Sequence, residues 1–209
     1  MKKLIIGIDE VGRGSWAGPL FFAAVCFTKN IEIPPGVFIR DSKALNRAQR
    51  ARSSWFLRKN SIFSISRVSR GTIDSLGLQK ASVLGLRRVI RSIQRKIRKS
   101  QVYLNEQIPD LTFLIDGLKI CKIQEKHEFV VRGDDKIMQI SSASIIAKVA
   151  RDRHIARLGK EYPEYGFGNH MGYGTSEHQQ ALRKHGVCEI HRTSYLPIKK
   201  ILEQSYAQK

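Results

Sequence analysis

Acidic residues are scarce in this chain. Its 209 residues hold 18 Asp plus Glu against 37 Lys plus Arg, a formal net charge of +19, with a pI near 10.2. Cysteine is scarcer still. Cys26, Cys121 and Cys188 are odd in number, far apart and without a C-x-x-C pair, which argues against a disulfide framework and against a zinc site. The compartment expected from this is the reducing cytoplasm. No apolar stretch reaches the roughly 20 residues that a membrane span needs. The apolar run after Lys2 and Lys3 lasts five residues before Asp9 and Glu10 interrupt it, too short and too soon charged for a secretory core segment. Internal repeats and low-complexity linkers are also missing.

What is present is globular. A hydrophobic fraction of 42% and a charged fraction of 26% are those of a folded domain, so the basic excess does not signal disorder. The length suits one ordinary domain with a small appendage. Such a charge points to a polyanionic partner, nucleic acid before an anionic membrane. A ribosome-associated or merely soluble basic protein is the plain alternative.

Apolar runs predict strands over residues 4–8, 20–27, 62–68, 111–115 and 129–131. Helices are expected over residues 47–59 and 79–100, through the small-residue stretch 141–147, from Thr175 or Ser176 to Gly186, and after Pro197. In the second helix Leu86, Ile90, Ile93 and Ile97 form one apolar stripe. Arg87, Arg91, Arg95 and Arg98 follow one position over, either as a solvated outer face or as a phosphate-facing ridge. The order is that of an α/β domain with a helical C-terminal part.

The scarce acids fall in telling places. Asp9 and Asp116 each end a five-residue apolar strand. If those strands are parallel neighbours, both carboxylates emerge at one sheet edge, where open α/β sheets place their sites. Asp134, 18 residues beyond Asp116, can close the group from a turn. Glu10 points to the opposite face unless a bend at Gly12 brings it round. Clustered carboxylates without His or Cys favour Mg²⁺ or Mn²⁺ over zinc. Two such ions serve in-line attack of water on a phosphodiester. The six histidines form no metal-ligand pattern, and surface or capping roles are expected for His178 and His185.

Taken together, Gly7-Ile8-Asp9-Glu10-Val11-Gly12-Arg13-Gly14, Asp41-Ser42-Lys43, Asp116-Gly117, Arg132-Gly133-Asp134, the run from Ser142 to Arg153, Gly172-Tyr173-Gly174-Thr175 and Ile190-His191-Arg192 resemble bacterial ribonuclease HII. They stand in that family's order over roughly residues 4–196. The resemblance implies a ribonuclease H-like mixed sheet flanked by helices. It also implies a catalytic domain over residues 1–160, with a C-terminal helical substrate-binding segment over 161–209. The implied activity is a metal-dependent endonuclease that hydrolyses the RNA strand of RNA–DNA hybrids. It also cuts 5′ to ribonucleotides embedded in duplex DNA, leaving 3′-hydroxyl and 5′-phosphate ends.

Carried over by residue, Asp9, Glu10, Asp116 and Asp134 are the implied catalytic acids and hold two Mg²⁺ or Mn²⁺ ions. Gly12, Arg13 and Gly14 are the implied reader of the ribose 2′-hydroxyl. Glycine suits that task because a peptide without Cβ can approach a sugar closely, and the 2′-hydroxyl is what separates RNA from DNA. Tyr173 is implied to pack on the following sugar and Lys43 to lie near the bound strand. Asp152 is expected to be structural, paired with Arg151 or Arg153. A monomer is expected, with no membrane partner. Ser15-Trp16, Ala44 and Met171 depart from the family pattern, and Ala44 and Met171 remove cations near the expected groove. A non-catalytic RNA-binding protein and a junction resolvase are the other classes consistent with charge and fold. The intact Gly12-Arg13-Gly14 and the four acids argue against both.

Overall fold

The computed structural model describes residues 3–103, 107, 109–117, 119 and 121–207. In chain order these include β1 (Lys3–Val11), β2 (Leu20–Cys26), α1 (Arg47–Asn60), β3 (Ile62–Val68), α2 (Arg70–Leu76) and α3 (Leu78–Tyr103). There follow β4 (Asp110–Asp116), β5 (His127–Val130), α4 (Gly133–Lys136), α5 (Met138–Glu161), α6 (Phe167–His170), α7 (Ser176–His185) and α8 (Leu196–Ala207). The described residues cluster into two compact units. The first draws on 1–11, 21–66 and 83–149, the second on 12–20, 67–82 and 150–209.

One five-stranded mixed sheet runs β3-β2-β1-β4-β5. β1 is antiparallel to β2 and parallel to β4, and β4 is parallel to β5. All seven residues of β2 are apolar and buried, the signature of a strand covered on both faces. β5 starts two residues earlier than its apolar run suggests because His127 pairs with Phe113. Helix α2 lies outside the helices expected from the sequence. Ser69 caps it by accepting from Thr72 N–H, a local signal, while its seven residues are too short to announce a helix by periodicity. Helix α1 has the fuller signal, a capping box between Asn46 and Gln49.

In the first unit two glycines set how closely helices approach the sheet. A Cβ on Gly85 of α3 would lie 2.1 Å from the Phe22 ring, and one on Gly7 of β1 would lie 2.1 Å from the main-chain carbon of Gln139. Gly7 and Phe22 belong to opposite faces, since Gly7 pairs with Val25 and Phe22 with Glu10. So α3 covers one face of the sheet and the start of α5 the other. On the α5 side Ala23, Val25, Leu57, Ala143, Ile146 and Ala147 form the core. The second unit has its own core of Ala17, Ile155, Tyr165, Phe167, Leu182, Ile190 and Ile198. Among the described residues no helix is long and apolar enough to cross a membrane.

The glycines give a paired stability prediction. Gly7→Ala forces a methyl into the backbone of α5 and is expected to lower unfolding free energy by about 2–4 kcal/mol. Gly71→Ala, in α2 with no atom within 4 Å of the added methyl, is expected to raise it by about 0.5–1 kcal/mol. Urea denaturation of both variants reads this out, and equal effects contradict the packing described.

Candidate active site

Parallel pairing of Ile8 with Ile115 puts the next residues, Asp9 and Asp116, side by side at the carboxyl ends of β1 and β4. Asp9 faces the α5 side, where it is hydrogen-bonded to Ser144, itself 2.9 Å from Ser42 Oγ. Glu10 N–H donates to Asp9 Oδ1 at 2.6 Å. Asp116 Oδ1 accepts from Gly133 N–H at 2.8 Å, which ties the first turn of α4 to β4. A Cβ on Gly133 would lie 2.5 Å from Ile140 and 3.4 Å from that same carboxylate oxygen, so a larger residue would disturb the junction. The next residue is Asp134, which lies in α4 rather than in an open turn and whose carbonyl accepts from Ser141 Oγ at 2.6 Å.

Three of the expected acids are therefore electrostatically one group. Burial, then the charges of Asp116 and Asp134, push Asp9 up to about 7, against the lowering hydrogen bonds from Ser144 and Glu10. Burial and Asp116 likewise raise Asp134. Glu10 is placed differently: its pairing with Phe22 keeps β1 regular, and alternation assigns it to the α3 face. The bend that would carry it across does not occur within β1. Lys43, on a single 3₁₀ turn (Ser42–Ala44), puts Nζ 3.7 Å from Asp134 Oδ2. Burial opposes its charge, but Asp41, Asp134, Asp9 and Asp116 outweigh that and raise its pKa.

The donor set fits a hard divalent cation in kind. It is all oxygen, and protonation of Asp9 near neutrality means that the cluster lacks positive charge. Among the described residues no three His, Cys, Asp or Glu side chains already converge into a metal cage.

The second unit holds the other expected residues. The segment from Gly12 to Pro19 is strapped by two fully buried arginines, Arg151 and Arg192. Arg151 donates to the carbonyls of Pro19 (3.2 Å), Ala17 (3.1 Å) and Met171 (3.0 Å) and to Ser15 Oγ (2.7 Å). Arg192 donates to the carbonyls of Gly18 (2.8 Å) and Arg13 (3.0 Å) and to Tyr195 Oη (2.7 Å). Burial lowers the Arg151 pKa to about 10, so it keeps its charge at neutral pH. The neighbouring charge of Asp152 also favours the ionised guanidinium. Gly12 has φ +100°, and a Cβ there would lie 2.3 Å from Arg151 Nε, so the fold itself demands glycine. Gly14 is exposed, and an added Cβ would meet nothing within 4 Å. Packing does not demand it.

Tyr173 is half-buried, with the Arg151 guanidinium 5.4 Å from its ring centroid. A run of histidines fixes its backbone. The Tyr173 carbonyl can only accept, so His178 Nδ1 carries the proton of that 2.9 Å bond and Nε2 is bare. His191 Nε2, 3.0 Å away, must then donate, and His191 Nδ1 accepts from Cys188 N–H at 3.0 Å. All are neutral tautomers. His178 is completely buried, against the surface or capping role expected of it, while His185 is exposed. The departures from pattern also find places. Ser15 Oγ joins the Arg151 network, and Trp16 packs so closely on Gly174 that a Cβ there would lie 2.1 Å from its ring.

A family model described as ribonuclease HII matches residues 6–197. The chain belongs to the ribonuclease HII family. It is similar to a ribonuclease HII of Pelagibacter ubique (strain HTCC1062), 39% identical over 201 residues that cover 96% of this chain and all of that one. The ribonuclease H2 structure from Pyrococcus horikoshii OT3 has 25% identity and a TM-score of 0.69 over 96% of this chain and 98% of that one. Bst-RNase HIII in complex with Mn²⁺ has a TM-score of 0.70 at 17% identity, covering 99% of this chain and 71% of that one, a likeness of fold alone. As a ribonuclease HII the chain is an endoribonuclease, from a family that cleaves RNA in RNA–DNA hybrids.

Gly133, Ser144, His191 and Arg192 of this ribonuclease HII stand within the motifs quoted above, but the sequence does not show what they support, and the role of His178 was missed. Their long-range partners lie from 13 to 179 residues away, which no local pattern shows. The histidine pair has a measurable consequence. Burial holds both His178 and His191 down to about 4, below the ordinary 6.5. Protons therefore favour the unfolded chain, and stability complete above about pH 6.5 is lost as pH falls toward 4. Asp9, raised in the folded state, acts with the opposite sign, so Asp9→Asn exposes the histidine effect. That variant is expected to lose more than about 1 kcal/mol per pH unit between pH 6 and 4.5 in denaturant titrations. A flat profile contradicts the neutral pair.

Proposed function

We propose that this ribonuclease HII is a metal-dependent endonuclease that hydrolyses the phosphodiester 5′ to a ribonucleotide, in RNA–DNA hybrids and at ribonucleotides embedded in duplex DNA. It leaves 3′-hydroxyl and 5′-phosphate ends. It acts as a cytoplasmic monomer in ribonucleotide excision during DNA replication and repair. The observation that carries the reading is the buried carboxylate group at the carboxyl ends of two parallel strands in a chain of charge +19.

Asp9, Asp116 and Asp134 are the acids that hold the divalent ions, with Glu10 as the fourth. Bound there, two Mg²⁺ or Mn²⁺ ions would lower the pKa of water and neutralise charge on the departing oxygen. The protein's own contribution is placement. Parallel pairing sets Asp9 against Asp116, Gly133 N–H orients the Asp116 carboxylate, and Ser144 orients that of Asp9. Lys43 brings a positive charge to the group's rim, suited to a phosphate of the bound strand.

Substrate choice rests with the residues that follow β1. From Glu10 the chain passes through Val11 into Gly12-Arg13-Gly14, which we assign to the ribose 2′-hydroxyl. Gly14 supports this: the fold leaves room for a side chain there, yet glycine keeps the peptide bare for close approach. Tyr173 packs on the neighbouring sugar, which lets a ribose–deoxyribose junction be read. We assign residues 161–209 to substrate binding beside a catalytic domain over 1–160.

Two variants separate cutting from reading. Asp116→Asn is expected to lower the single-turnover rate with saturating Mg²⁺ at least 100-fold, about 3 kcal/mol, while still binding duplex; an unchanged rate removes Asp116 from the ion-holding set. Gly14→Ala is expected to leave Tm within about 1 °C, because no atom meets its methyl, yet to weaken kcat/KM on a single-ribonucleotide duplex at least 10-fold. Unchanged cleavage would take the ribose-reading role from Gly14.

A further inference from the structure

Helix α3 spans 26 residues without a single Asp or Glu. Its apolar stripe of Leu86, Ile90, Ile93 and Ile97 is buried, while Arg87, Arg91, Arg95 and Lys99 are exposed on the other side. These four stand at successive i, i+4 positions, about 6 Å apart and spanning about 18 Å at 1.5 Å per residue. Like charges at that spacing destabilise a helix, and a Glu at any of them would have stabilised it. Among the described residues none of the four makes an ion pair. Lys96, by contrast, is tied down: its Nζ donates to the Phe63 carbonyl at 2.6 Å and lies 4.9 Å from that ring's centroid. The chain thus secures one cation against β3 and leaves a row of four without an ion pair, Glu125 being the carboxylate that shares a cavity with Arg87 and Arg91.

The row also has a direction within the first unit. It starts two residues after Gly85, which packs on Phe22, the β2 residue paired with Glu10 at the acid-bearing end of β1. It then runs to the level where Lys96 meets Phe63 at the start of β3. A duplex carries about one negative charge per 1.7 Å of axis, so on the order of ten phosphates lie along the length of this row.

We propose that Arg87, Arg91, Arg95 and Lys99 form a docking ridge for the phosphodiester backbone of the duplex that flanks the cleaved ribonucleotide. This rests on the nuclease reading above and adds a second, sequence-independent contact to it. Phosphate contacts position a duplex without reading its bases, so the ridge holds the flanking duplex in register.

The test compares wild type with the quadruple variant Arg87→Gln, Arg91→Gln, Arg95→Gln and Lys99→Gln. Fluorescence anisotropy in EDTA measures binding to 12- and 40-base-pair DNA duplexes with one central ribonucleotide, over a salt series. The variant is expected to bind the long duplex 10- to 100-fold more weakly. Its dependence of log K on log salt should be shallower by roughly 2–3, at about 0.9 for each phosphate that the ridge no longer neutralises. The rate at saturation stays as in wild type, and Tm is equal or higher because like-charge repulsion is relieved. A second variant, Arg87→Lys, Arg91→Lys and Arg95→Lys, keeps the charge and should bind as wild type does. Equal long-duplex affinity and salt slope in the Gln variant would overturn the ridge and leave a solvated face. Cleavage of the same duplexes with Mg²⁺ is scored separately. Wild type that binds through the ridge but fails to cut would sink the nuclease reading and leave the ridge standing.

Discussion

Everything at the candidate site depends on the parallel pairing of β1 with β4. Because Ile8 lies beside Ile115, two carboxylates leave the sheet at the same level, Asp9 buried and Asp116 half-buried. Burying one carboxylate is costly and burying two together more so, which is expressed directly in the elevated pKa of Asp9. The neighbouring structure answers that cost piece by piece. Gly7 lets α5 come close enough for Ser144 to reach Asp9, Gly133 points an N–H at Asp116, and Lys43 is drawn to Asp134. The residual shortage of positive charge is the physical reason for expecting divalent cations there.

In the second unit the same economy works with the charges reversed. Arg151 and Arg192 are buried and donate to backbone carbonyls, five of them between Arg13 and Met171. A guanidinium has five donors in a fixed fork, so each arginine fixes several peptide planes of the segment at once. That turns a glycine-rich stretch into a rigid one. Rigidity matters for a segment assigned to inspect one hydroxyl group, since a loose backbone would accommodate ribose and deoxyribose alike.

Much of this was legible in the sequence because it is written locally. Apolar runs ending in Asp9 and Asp116 announced strands and their edge, and the stripe from Leu86 to Ile97 announced α3. Glu10 shows where local reading falls short: its neighbour's place near a strand end was legible, but its own face followed only from the observed regularity of β1. The histidines were misjudged for a related reason. His178 looked like a helix-surface residue until His191, on a different segment, supplied a buried partner and a forced tautomer. Gly133 and Gly14 carry the same letter for different reasons, crowding in one case and open space in the other, which only the surroundings distinguish.

The central proposal is that the carboxylate edge cuts a phosphodiester beside a ribose. Its most direct test is to map the ends produced from a duplex DNA carrying one ribonucleotide, with Mg²⁺ and with Mn²⁺. The account predicts a single cut on the 5′ side of the ribonucleotide, with a 3′-hydroxyl and a 5′-phosphate, and none in the all-DNA duplex. A 2′,3′-cyclic phosphate end, or equal cutting of all-DNA duplex, would contradict it.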